Sequence, residues 1–132
     1  MEFKIEKKGN ENQHKYPTED LRIAHKFADH LHKEIQDFLM GVVVFGSSAR
    51  KEASEHSDID VLIVNDDASF VITEPLVEGY RIIIESLIKR ISLKLHITSM
   101  TYTSFWEHVK AGDPVVVNIL RDGVALYDKG FF

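Results

Sequence analysis

Two short apolar runs, MGVVVF at 40–45 and DIDVLIV at 58–64, constrain the fold more than any other feature of the chain. Both are dominated by valine and isoleucine, whose branching at Cβ suits an extended backbone. They read as strands buried on both faces. The stretch between them, GSSARKEASEHS at 46–57, is polar. It opens with a small-residue turn, Gly46-Ser47-Ser48, and runs directly into two carboxylates one residue apart, Asp58 and Asp60. Residues 48–54 are compatible with a short helix.

Other elements are readable around this pair. Thr18 is the expected N-cap of a helix, with Glu19 and Asp20 in its first turn, where acids suit the helix dipole. Ala24, Phe27, Ala28, Leu31, Ile35 and Phe38 recur at three- and four-residue spacing and predict an amphipathic helix over about 19–39. His25, His30 and His32 ride on it and read as a solvated face. Asn65-Asp66-Asp67 is turn chemistry. Pro75 suits the first turn of a second helix, whose Leu76, Val77, Tyr80, Ile83, Ile84, Leu87 and Ile88 give an apolar face to about Arg90. From 91 to 98 the period falls to two: Ile91, Leu93, Leu95 and Ile97 on one side, Ser92, Lys94, His96 and Thr98 on the other. That predicts a strand with one buried face. Ser104 to Glu107 has the form of a capping box for a short helix stopping at Gly112. Asp113-Pro114 reads as a further cap and first turn, and 124–127 as a last short strand or extended tail. Residues 1–17 are polar and read as a loosely held N-terminal extension, leaving 18–132 as one domain. The expected fold is a small α/β (α+β) domain with a mixed sheet of three to four strands packed with helices.

Composition narrows the function. The 16 basic and 21 acidic residues give a formal charge of -5. A protein that coats nucleic acid needs a basic surface, so that class is disfavoured. A small anionic ligand held together with a metal is not, because the metal brings the positive charge. There is no cysteine, which excludes disulfides and thiolate metal sites. No apolar stretch approaches the roughly 20 residues that span a bilayer, and the first residues have no apolar h-region. A cytoplasmic protein with no membrane association is expected.

The chemistry concentrates at 46–60. Asp58 and Asp60 share a face of their strand, so both carboxylates can approach one divalent ion, and two carboxylates plus substrate phosphates is the usual way to hold Mg²⁺. Gly46 lacks a Cβ and lets backbone N–H groups come close to a phosphate; Ser47 adds a hydroxyl. A helix starting at Ser48 would point its free N–H groups at the same anion. Arg50 supplies a fixed positive charge. Each part is common alone; their order between two buried strands is not.

This stretch, GSSARKEASEHSDIDVLIV, resembles the signature of the DNA polymerase β-type nucleotidyltransferase superfamily, G-S-x-A-x-G followed by S-D-x-D. Gly46, Ser47, Ala49, Ser57, Asp58 and Asp60 fall on it in register. The small size and the tail DPVVVNILRDGVALYD are similar to its minimal nucleotidyltransferase (MNT) branch. The resemblance implies a palm-like mixed sheet and transfer of a nucleoside monophosphate from an NTP, ATP foremost, with two Mg²⁺ ions on three carboxylates. Asp58 and Asp60 would then be catalytic metal ligands, and Gly46, Ser47, Arg50 and Ser57 would bind the nucleotide. MNT proteins are similar to antitoxins that pair with HEPN-domain partners, some of which they adenylylate.

Two departures stand out. Lys51 replaces the signature's second glycine. The third carboxylate belongs on the strand after the long helix, yet ISLKLHITS offers only Ser92, Lys94, His96 and Thr98 as its polar side. His96 could ligate a metal or act as a base in that place. Lys94 could pair with Asp60, or both could line a solvent-facing surface. The expectation is a metal-dependent nucleotidyltransferase; the alternative is a degenerate nucleotide- or partner-binding module of antitoxin type. Phe131-Phe132 at the terminus offers an apolar surface for a partner or a homodimer.

Overall fold

The computed structural model describes residues 12–46 and 58–130. After a 3₁₀ turn at Gln13–Lys15 come helix α1 (Thr18–Ile35), strands β1 (Leu39–Phe45) and β2 (Ile59–Asn65), helix α2 (Glu74–Ile91), strand β3 (Leu95–Thr101), helices α3 (Tyr102–Lys110) and α4 (Pro114–Asp122), and strand β4 (Val124–Asp128). Among the described residues the strands form one four-stranded mixed sheet in the order β3-β2-β1-β4. β1 runs antiparallel to both its neighbours, while β2 and β3, joined through α2, are parallel. This is the mixed α+β architecture the sequence predicts.

The two apolar runs occupy the centre of the sheet because both their faces are covered. Val42 and Val44 of β1 and Ile59, Val61 and Ile63 of β2 face one core with Ala24, Phe27, Ala28 and Leu31 of α1 and Ile84 and Leu87 of α2. Met40, Val43, Leu62 and Val64 face a second core with Phe105 of α3 and Val116 and Ile119 of α4. Gly123 enters β4 where no side chain fits: a Cβ there would lie 2.5 Å from the Ile119 carbonyl oxygen and 2.6 Å from Val43 Cγ1.

Several local expectations shift. The strand expected from Ile91 starts at Leu95. Ile91 instead continues the i, i+3/i+4 series of Ile84, Leu87 and Ile88 as the last residue of α2, and the Ser92 N–H closes that helix on the Ile88 carbonyl. Leu93, expected on a buried face, is 80% exposed in the turn before β3. The cap of α3 is Thr101 rather than Ser104; its Oγ1 accepts from the Ser104 N–H at 3.1 Å. Asp113 caps α4 as expected, accepting from the Val115 N–H at 2.9 Å. Asp66 does end β2 in a turn, but it is 2% exposed: Oδ1 accepts from the N–H groups of Ala68 and Ser69, and Oδ2 lies 3.2 Å from Lys129 Nζ.

Residues 12–17 are held against the α4–β4 junction. The Asn12 side-chain amide donates to the carbonyls of Arg121 and Gly123 at 3.0 and 3.1 Å. Lys15 Nζ meets Asp122 Oδ1 at 3.0 Å, and Tyr16 packs into the first core. The polar composition of this segment concealed these long-range partners. No helix among the described residues is long and apolar enough to cross a membrane.

Candidate active site

β1 delivers the chain to Gly46, whose φ of 117° lies in the left-handed region that favours glycine. β2 begins one residue after Asp58. In the register of the sheet Asp60 stands between Phe45 of β1 and His96 of β3. Alternation puts Asp58 and Asp60 on the same face as Leu62 and Val64, the face covered further along by α3 and α4. At its start that face is open: Asp58 is exposed and the Asp60 side chain is 27% accessible.

His96 is directly beside Asp60. Its Nδ1 lies 3.1 Å from Asp60 Oδ1, and its side chain is 63% accessible. Lys94, the other polar residue expected near the pair, turns away from it. Its ammonium lies 3.3 Å from Oδ1 of Asp20, a buried acid in the first turn of α1, while its carbonyl accepts from the Ile59 N–H at 2.8 Å. The pairing of Lys94 with Asp60 entertained from the sequence is therefore replaced by Lys94–Asp20. Lys94 precedes the strand, so strand alternation does not govern its side chain.

The donor chemistry fits a divalent cation at the Asp pair: two carboxylates on one exposed face with an imidazole alongside. Among the described residues no three His, Asp or Glu side chains already converge on one point. Ser47, Arg50 and Ser57, like the helix expected over 48–54, lie outside the described residues. Asp20, the partner of Lys94, and Phe45, the register neighbour of Asp60, are residues that the sequence did not flag. Asp20 looked like an ordinary first-turn acid, and only sheet pairing places Phe45 beside Asp60.

The family model of the nucleotidyltransferase domain matches residues 26–126. That is well over half of the chain, which therefore belongs to the nucleotidyltransferase domain family and is a nucleotidyltransferase by that membership. A solved structure of a candidate nucleotidyltransferase from Sulfolobus solfataricus is similar at 17% identity and a TM-score of 0.50, covering 83% of this chain and 80% of that one. At that identity the likeness bears on the fold, which it supports. A toxin–antitoxin structure with AMP-PNP is similar at 13% identity and a TM-score of 0.47, covering 80% of this chain and 74% of that one. A mutant of the toxin–antitoxin pair MntA-HpeT is similar at 11% identity and a TM-score of 0.46, with the same coverage of 80% and 74%. Comparison with curated protein sequences gives no match.

Proposed function

We propose that the chain moves a nucleoside monophosphate from an NTP, ATP foremost, to a hydroxyl group. Asp58 and Asp60 hold the divalent cation, and Gly46, Ser47, Arg50 and Ser57 hold the triphosphate. The acceptor oxygen bonds to the α-phosphorus, the bond from that phosphorus to the oxygen bridging to the β-phosphate breaks, pyrophosphate leaves, and the hydroxyl proton passes to solvent. Bound Mg²⁺ would supply the positive charge that steadies the triphosphate and the departing pyrophosphate.

One observation carries this reading. Gly46, at positive φ, closes β1 and Asp58/Asp60 open the strand paired with it, so turn and carboxylates meet at one end of the sheet. Resemblance to the MNT branch makes a hydroxyl on a HEPN-domain protein the favoured acceptor. His96 in the place of a third carboxylate favours a second reading, a non-catalytic module that binds nucleotide or covers a partner.

Incubation with Mg²⁺ and α-labelled ATP, with and without the product of the neighbouring gene, separates the two. Label transferred by the wild type and lost in Asp58→Ala/Asp60→Ala supports catalysis. Undiminished transfer by that double variant overturns the metal-pair assignment. Nucleotide binding with no transfer under any condition establishes the second reading.

A further inference from the structure

We infer that an apolar groove at the end of the sheet remote from Asp58 and Asp60 is a protein-docking surface, and that it takes a partner segment carrying an aromatic or large aliphatic anchor flanked by lysine or arginine. The groove does not involve the Asp pair, so this inference stands independently of the proposed transfer. Asn65, which lines the groove, is the register partner of Leu39 and Thr101, five residues along β2 from Asp60. At about 3.3 Å per residue, that is roughly 16 Å of strand.

Apolar side chains concentrate there. Four of the eight exposed large apolar residues among the described residues, Phe70, Val71, Ile72 and Val77, fall within 70–77, and Val71 is 82% exposed. Scattered singly, such residues need no explanation; grouped around a concavity, they mark an interaction site. Three adjoining hollows share walls here: Ile72 and Val77 border two of them, and Leu76 and Tyr80 border another two. The hollow between Phe38, Leu76, Val77 and Tyr80 has a volume of about 180 Å³. A cavity of about 150 Å³ holds a benzene ring, so this one admits a single anchoring side chain. The surface is built in advance. Asp66 Oδ1 accepts from the N–H groups of Ala68 and Ser69 and holds the turn that leads to Phe70, whose ring meets Phe38 edge-on at 5.6 Å. A preformed surface binds without having to order a loop.

Charge selects the occupant. Every charged residue lining the three hollows is an acid: Glu34, Glu74 and Glu78. Arg81 lies 2.6 Å from Glu78 and 3.0 Å from Glu85, which leaves this rim net negative. Such a rim repels nucleic acid and an anionic membrane. A second copy packed isologously would set the same acids against one another. A segment with lysine or arginine beside its anchor complements the rim.

The test selects binders of the full chain from a random-peptide display library. Enriched peptides are synthesised and titrated against wild type, Val71→Ser/Val77→Ser, Glu34→Gln/Glu74→Gln and Asp58→Asn/Asp60→Asn. All six positions are polar or exposed, and melting curves confirm that each variant is folded. The enriched peptides should pair an aromatic or large aliphatic residue with lysine or arginine. Val71→Ser/Val77→Ser should weaken them by about tenfold or more, and Glu34→Gln/Glu74→Gln by about threefold or more at low salt. Asp58→Asn/Asp60→Asn should bind them like wild type, and amide resonances of 70–83 should shift on binding. No enrichment, peptides without basic residues, or affinities unchanged in the first two variants overturn the inference, as does binding lost in Asp58→Asn/Asp60→Asn. Self-association in sedimentation, or adhesion to phosphatidylserine vesicles, that Val71→Ser/Val77→Ser abolishes would assign the groove to a second copy or to a membrane and overturn it too.

Discussion

The Tyr16 hydroxyl donates to the backbone carbonyl of Asp122 at 2.7 Å, a bond between residues 106 apart in the chain. With the Asn12 amide on Arg121 and Gly123, it fastens residues 12–17 to the end of α4. Asn12→Ala would leave two largely buried carbonyls without that donor and should lower stability by about 1–3 kcal/mol. Urea unfolding of the two proteins checks it: equal midpoints would mean the two Asn12 hydrogen bonds contribute nothing.

Acid sensitivity should trace to Asp66 and Asp122. Burial pushes the Asp66 carboxyl up, but hydrogen bonds from Ser69, Lys129 and Ala68 outweigh it and hold the group below its ordinary value. Arg121, and then Lys15, hold Asp122 below its ordinary value. Both folded values are depressed, so the stability they confer is complete above the ordinary carboxylate range, near pH 4, and is lost as pH falls through the folded values. Asp66→Asn and Asp122→Asn should each flatten the acid limb of a stability-versus-pH curve. A limb of unchanged slope in both variants would assign the acid loss to other groups.

Gly123→Ala should destabilise by about 1–3 kcal/mol, because its Cβ would press on Val43 and on the Ile119 carbonyl. Gly46→Ala should cost about 1–2 kcal/mol through its φ of 117°. The two should differ in kind: Gly46→Ala also weakens nucleotide binding under the proposed function, and Gly123→Ala does not. Thermal unfolding and analogue binding, measured on both variants, decide.

Lys94→Gln breaks the pair with the buried Asp20 but leaves His96 and the Asp pair intact. Its melting temperature should fall while its divalent-ion affinity stays within about twofold of wild type. Loss of ion binding without loss of stability would place Lys94 at the cation site after all.

The central strands were legible because valine and isoleucine runs of that length leave few alternatives, and the shared face of Asp58 and Asp60 follows from alternation alone. What escaped the sequence depended on partners distant in the chain. Ile91 fits a strand or a helix end equally well until its packing against the first core is known. Lys94 follows Asp20, some seventy residues earlier, rather than the period of the strand it precedes. The docking of Asn12 and Tyr16 leaves no periodic trace, because the three groups that accept from them, at Arg121, Asp122 and Gly123, are backbone carbonyls.

β1, the strand that carries the chain to Gly46, lies between β2 and β4, and β4 ends at Asp128. During vectorial synthesis β1 can pair with β2 early, but its other edge has no partner until the residues of β4 have left the ribosome. Until β4 arrives, the nascent chain therefore holds a strand edge rich in valine open to other chains, and β4 is the segment that covers it.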